Sequence, residues 1–296
     1  MGALQKLGAK ENILLSQVST FHIGGPAALF IETNNADTIQ EACSICRESG
    51  FPIALIGNGS NILCPDAGFE GLVIKAKRSE SLPQITEDRI TAFAGDSLTY
   101  IANYTVKSGY SGFERLAGIP GTIGGAIAMN AGAYGGEIID VLDRVHVLQS
   151  GIDRWITASR EEFGYRISPF TWPKTIVLEA EFKLSPGDGS ERVVMEDCLM
   201  RRKDKQPLEF PSAGSVFKRP TGHFAGKLIE EAGLKGFRIG GAEVSEKHAG
   251  FIINRGGATE KDVLDLIDYI QNSVYSKYGV KLEREVLMLG EIACTF

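Results

Sequence analysis

No run in the sequence approaches the ~18 apolar residues of a membrane span, and Met1 to Ser16 carries no apolar block of signal-peptide length. A cytoplasmic protein with no membrane partner is therefore expected. Lys6 stands where the myristoylation signal opened by Met1-Gly2 wants Ser or Thr, which removes that anchor. Cysteine is sparse and odd in number, five residues in all, so a reducing compartment is expected rather than a disulfide framework. Cys43 and Cys46 form a C-x-x-C, but Ile39, Ala42, Cys43 and Cys46 recur at the spacing of one apolar helix face, which reads as buried thiols. The four histidines are scattered, with no second cysteine pair and no H-x-x-x-H, so no metal is implied. Net positive charge is missing too. A formal charge of −6 argues against nucleic acid as a partner, because phosphate backbones select a basic surface.

At 296 residues the chain suits two or three units folded together, and its 43% hydrophobic and 23% charged content is that of an ordinary globular protein. Strand Ala28–Glu32, helix Asp37–Glu48 ended by Gly50, and strand Pro52–Ile56 give a βαβ opening. The turn that follows, Gly57-Asn58-Gly59-Ser60-Asn61, lacks the third glycine of a dinucleotide fingerprint and runs into Pro65, Gly68 and Gly71, so a Rossmann unit is not expected. Strands at Gly71–Lys75 and Arg89–Ala94 and a helix at Ser97–Ser108 come next, with a domain border near Ala76–Pro83. Gly118 to Gly136 is too dense in glycine for a stable regular element. Such a loop can bring successive N–H groups up to a phosphate, though it lacks the Gly-Lys-Ser/Thr ending of an NTPase loop. A packing corner without a ligand is the alternative, weakened by the second loop at Gly57–Asn61. Together the two make a pair of phosphate cradles, as a long pyrophosphate ligand needs. Val145–Leu184 reads as mostly short strands, then a helix Arg192–Lys203 ends in Arg201, Arg202, Lys203 and Lys205, either a solvated end or one that faces a diphosphate. A short helix Phe224–Gly233, a strand Gly250–Asn254 and an amphipathic helix Thr259–Tyr278 complete an α+β lobe.

Taken in order, several stretches resemble the UDP-N-acetylenolpyruvoylglucosamine reductases, in the shorter class without an extra substrate-covering insertion. They are Gly57–Asn61, Ile119-Pro120-Gly121-Thr122-Ile123-Gly124-Gly125, Asn130-Ala131-Gly132-Ala133-Tyr134-Gly135, Phe163-Gly164-Tyr165-Arg166-Ile167-Ser168, Ala213-Gly214-Ser215-Val216-Phe217-Lys218, Gly240 to Gly250, and Leu282-Glu283-Arg284-Glu285-Val286. The resemblance implies an α+β fold of the vanillyl-alcohol-oxidase type, with two FAD-binding subdomains and a third lobe for substrate. The expected limits are 1–76, completed by 282–296, then 77–211 and 212–281. It also implies non-covalent FAD, NADPH as reductant, a UDP-linked enolpyruvyl sugar as oxidant, peptidoglycan synthesis as the setting, and a monomer or weak homo-oligomer. By the same resemblance Arg166, Ser215 and Glu285 are the catalytic residues, and Tyr165, Lys218 and His248 join Arg166 as substrate contacts. Gly57, Asn58, Gly59, Ser60, Asn61, Pro120, Gly121, Thr122, Gly124, Gly125, Asn130 and Ala131 are the cofactor-binding set. Arg219 and Leu287 depart from the longer-insertion class, where Asn and Arg are found, so the phosphate and carboxylate contacts there differ.

Chemistry supports these assignments. Hydride delivery to the methylene carbon of an enolpyruvyl ether needs negative charge drawn onto its carboxylate, and a guanidinium grips a carboxylate with two parallel donors, so Arg166 suits the task unless it is a surface salt bridge. The neighbouring carbon then takes a proton, for which Ser215 is the candidate, re-supplied through Lys218 or Glu285; alone, a Gly-Ser pair in a loop reads as a turn. Two rivals are a flavin oxidase with covalent FAD, for which His22 is the residue to watch, and a nucleotide-binding module without catalysis.

Overall fold

Among the described residues three larger β-sheets, of five, five and four strands, bury their apolar residues in four clusters, one of which joins Leu29, Ile53 and Leu72 of the first sheet to Phe93, Ile176 and Leu178 of the second. The computed structural model describes residues 2–171 and 175–294. In the first sheet β1 (Lys10–Leu14) runs antiparallel to β2 (Pro26–Thr33), while β2 and β3 (Ile53–Ile56) flank β4 (Phe69–Ala76) in parallel. The C-terminal strand Ala293–Cys294 closes the sheet against the free edge of β3. Helix α1 (Ala36–Ser49) connects β2 to β3. Asn35 caps its start by accepting the Asp37 N–H at 2.7 Å, and Gly50 ends it at φ 65°, where only glycine is comfortable. Its buried face holds Ile39, Ala42, Cys43 and Cys46 as the spacing predicts, and burial pushes the Cys43 thiol up to about 12 and Cys46 to about 11. Neither is a reactive thiolate.

The second sheet is antiparallel throughout, in the order β8-β7-β9-β6-β5: β5 (Ile85–Thr86), β6 (Arg89–Phe93), β7 (Leu142–Gln149), β8 (Ile152–Thr157) and β9 (Thr175–Lys183). These strands are longer than the short segments expected over Val145–Leu184, because β7, buried at alternate residues, pairs on both sides. Helix α2 (Leu98–Lys107) is capped by Ser97. The glycine-dense stretch corrects an expectation, since Ile123–Ala128 forms a helix, α3. Its small residues are the reason. Gly124 and Ile123 donate their N–H groups to Ala94 and Asp96 carbonyls at 2.8 Å, and a Cβ on Gly124 would stand 3.0 Å from the Ala94 Cβ, so glycine lets the helix lie against the end of β6.

After helix α4 (Glu191–Lys205), the third sheet follows the order β10-β13-β12-β11, with β10 (Ser212–Ser215), β11 (Arg238–Ile239), β12 (Ala242–Val244) and β13 (Phe251–Asn254). Helices α5 (Ala225–Glu231) and α6 (Glu260–Tyr278) pack over it, α6 opening on a Thr259/Asp262 capping box. Phe21 and Ile23, from the loop between β1 and β2, are buried in this third core, and Asn254 Nδ2 donates to the Phe21 carbonyl at 3.1 Å. Beyond α6 the chain returns. Phe217 bridges Arg284, and Leu287–Met288 pairs in parallel with Ile62–Leu63, which brings the 282–288 segment alongside the Gly57–Asn61 loop.

Candidate active site

Where the three sheets converge, a cavity of about 330 Å³ opens. Ile56 and Leu55 from β3, Ala94 after β6 and Ile176 and Val177 from β9 give it apolar surface. Its glycine walls are not two separate cradles. Asn58 Nδ2 donates to the Pro120 carbonyl at 2.8 Å, and a Cβ on Gly57 would come within 2.2 Å of Thr122 Oγ1, so the two loops abut and form one wall. Gly57, Asn58, Gly59, Ser60, Asn61, Pro120, Gly121, Thr122, Gly124, Gly125 and Ala131 all line the cavity. Because the Ile123 N–H already donates to the Asp96 carbonyl and the Gly124 N–H to that of Ala94, the free donors of this wall lie elsewhere on the loops.

Asn130 departs from its expected place. It is fully buried at φ 40°, is not part of the cavity lining, and its Nδ2 donates to the Gly164 carbonyl at 2.9 Å and to Glu137 Oε2 at 3.3 Å. It thus props the turn Gly164-Tyr165-Arg166-Ile167, which Gly164 and Ile167 close by mutual backbone bonds of 3.1 and 3.0 Å. At the tip, Arg166 adopts φ 58°, an uncommon conformation for a residue with a Cβ. Its Nε donates to Glu285 Oε1 at 2.7 Å and its Nη2 to the Gly132 carbonyl at 3.4 Å, which leaves the Nη1 side of the guanidinium for another acceptor. The pair is largely enclosed, with side chains 18% and 11% exposed, so it is not a surface salt bridge.

Ser215 ends β10, opposite Phe251 of β13, and faces the same cavity. The Glu285 N–H donates to the Val216 carbonyl at 2.7 Å and Asn61 Nδ2 to the Glu285 carbonyl at 3.2 Å. Residues far apart in sequence, Asn61, Arg166, Ser215 and Glu285, are thereby fixed in one wall. Tyr165 is 47% exposed and not part of the cavity lining; its hydroxyl accepts the Arg219 N–H at 3.2 Å, and the Arg219 guanidinium lies 4.1 Å over the Phe224 ring. Lys218 and His248 are not brought into the cavity lining. Lys218 Nζ lies 3.5 Å from Glu283, and His248 Nδ1 accepts the Gly250 N–H at 3.1 Å with its ring edge-on to Phe251 at 5.0 Å. Burial is the main cause that lowers the His248 pKa below the usual histidine value. Leu287 lines the cavity, whereas His22 is exposed and outside it, its backbone held by Asn254. Sequence reasoning passed over Tyr134, Gln206 and Phe251, and left Arg202 undecided; all four line the cavity.

Apolar floor, glycine turns and a cation at one end together suit a flat ring system joined to a diphosphate. Among the described residues no cluster of three or more potential metal ligands is found, and no helix is long and apolar enough to cross a membrane. Residues 27–151 match a family described as an FAD binding domain, and residues 206–289 match one described as the C-terminal domain of UDP-N-acetylenolpyruvoylglucosamine reductase. The chain is 44% identical to a UDP-N-acetylenolpyruvoylglucosamine reductase of Clostridioides difficile, over 98% of this chain and 96% of the relative. It is 46% identical to one of Clostridium botulinum, over 95% and 94%. A crystal structure of the enzyme of that name from Thermus caldophilus superposes with a TM-score of 0.79 at 34% identity, covering 95% of this chain and 99% of the other.

Proposed function

Since the chain belongs to the UDP-N-acetylenolpyruvoylglucosamine reductases, we propose that Arg166, Ser215 and Glu285 form the catalytic centre of the NADPH-dependent, FAD-dependent reduction of the UDP-N-acetylglucosamine enolpyruvyl ether to UDP-N-acetylmuramate, the reaction it performs in peptidoglycan synthesis. The observation that carries the reading is the Arg166–Glu285 bond of 2.7 Å in the wall that also presents Ser215. Bound in this cleft, FAD supplies hydride transfer; the Gly57–Asn61 and Gly118–Gly125 loops would hold it.

Glu285 aims the guanidinium, and the Nη1 face of Arg166 takes the substrate carboxylate, drawing onto it the charge that develops as the alkene is reduced. Ser215 then delivers a proton to the carbon next to that carboxylate. A serine hydroxyl is a weak acid and needs re-supply. Lys218 lies outside the cavity lining, whereas Glu285 lines it together with Ser215 and is therefore the better-placed relay. Tyr165, bonded to Arg219 beside the turn that carries Arg166, is the proposed contact for the sugar nucleotide, and His248 reaches the cavity through Phe251, which lines it.

The reading divides the chain at 1–76 with 282–296, 77–211 and 212–281, and expects a cytoplasmic monomer or weak homo-oligomer; five unpaired cysteines, four of them buried, suit that compartment. An absorbance spectrum tests the activity. The purified protein should be yellow, bleach with NADPH, and recover colour when the UDP-enolpyruvyl sugar is added; a protein that bleaches but recovers only with oxygen would refute the substrate.

A further inference from the structure

Helix α4 ends in the cations Arg201, Arg202, Lys203 and Lys205, and of these Arg202 alone is not exposed. Arg192 and Arg201 each have a carboxylate one helical turn away and pair with it, to Glu196 and Asp197 at 2.8 Å. Arg202 has Cys198 and Gln206 at the corresponding positions, and no carboxylate of the described residues lies within 4.0 Å of its guanidinium. It is nonetheless partly buried. Its side chain lies across Gly118, where an added Cβ would be 3.3 Å from Arg202 Cδ and 3.9 Å from Nη1, and it lines the cavity with Gln206 and Tyr134. Burial presses its pKa down, with only the Tyr134 phenol acting the other way. A cation drawn out of water without a counter-charge is unfavourable unless an anion completes the site.

We propose that Arg202 is the counter-cation of a diphosphate bound at the Gly118 turn. The proposal rests on the reductase reading, which places two diphosphates in this cleft, that of FAD and that of the UDP-sugar. The glycine loops hold no lysine or arginine between Gly57 and Asn61 or between Gly118 and Gly125, so backbone N–H groups would share the anion with a charge reaching in from α4. A planar guanidinium can donate to two phosphate oxygens at once, which a solvated helix end has no need of.

Arg202→Met keeps the stem that packs on Gly118 and removes the charge. The full-length chain, stripped of flavin, is titrated with FAD by fluorescence quenching, and the FAD-loaded chain with UDP by calorimetry. A Kd for FAD raised on the order of 10²-fold, with UDP unaffected, supports the proposal and assigns the cofactor's diphosphate; the reverse pattern supports it and assigns that of the sugar nucleotide. Parent-like values for both overturn it. If the methionine variant lost its fold, Arg202→Lys would decide: a point charge cannot bridge two oxygens, so one Kd should rise severalfold, and no change in either would overturn the proposal. A parent chain that binds neither FAD nor UDP would reject the reductase reading itself, which separates the two failures.

Discussion

In the proposed mechanism Ser215 has work to do only after NADPH has reduced the flavin and left, so its removal should divide the reaction in two. Ser215→Ala is expected to bleach at a near-normal rate and to reoxidise with the enolpyruvyl sugar more slowly by a factor on the order of 10². Stopped-flow absorbance reads both steps, and loss of the first step would make Ser215 a structural or nicotinamide-positioning residue. His248 makes a different prediction. Its folded pKa is depressed by burial, with a backbone hydrogen bond and Glu230 acting against and Lys235 and Lys205 in the same direction. Between that folded value and the ordinary ~6.5 the unfolded chain binds the extra proton, so stability is present above the ordinary value and is lost as pH falls below it. The urea midpoint of the parent should drop more between pH 7.5 and 5.5 than that of His248→Gln; equal drops would contradict the assignment. Some of these residues were legible in sequence. Arg166, Ser215 and Glu285, which line one cavity, could be grouped in the sequence only because their motifs resemble a family, since nothing local links positions so far apart. The missing partner of Arg202 could have been read from the i−4 and i+4 positions alone, whereas the turn of Asn130 away from the cleft depends on a backbone angle that sequence does not reveal.

Elements with local signals were placed to within a residue or two. Helix α1 announces itself through Asn35 and Gly50, and α6 through Thr259, Asp262 and Gly279, the last at φ 68°. Helix α3 carries no such signal, because its glycines are poor helix formers and it exists by packing against the end of β6. Gly124→Val therefore tests more than ligand approach. Its Cβ would stand 3.0 Å from the Ala94 Cβ and 3.3 Å from the Ala94 carbonyl oxygen, so α3 must lift away from the strand. Lower FAD occupancy and a lower Tm of the flavin-free protein are both expected, with overpacking costing about 1–3 kcal/mol; a variant with full flavin content and unchanged Tm would show that the helix can shift freely.

At the scale of the molecule, the proposed catalytic wall takes Asn61, Arg166, Ser215 and Glu285 from widely separated parts of the sequence, all lining one cleft. The expected absence of a Rossmann unit leaves NADPH and the sugar nucleotide to use that cleft in turn, which predicts ping-pong kinetics. Initial-rate plots should give parallel lines, and intersecting lines would show both substrates bound together. The strand Ala293–Cys294 has a further consequence, for the order in which the protein is made. Chains emerge from the ribosome N-terminus first, and their early parts begin to fold while the rest is being synthesised. Strand β3 is then exposed early, with its outer hydrogen-bonding edge bare until Ala293 and Cys294 arrive. Until that pairing forms, the nascent chain offers the edge to any other strand nearby, and the same late-made segment carries Glu285, so cover for the edge of β3 and the Arg166–Glu285 bond are acquired together.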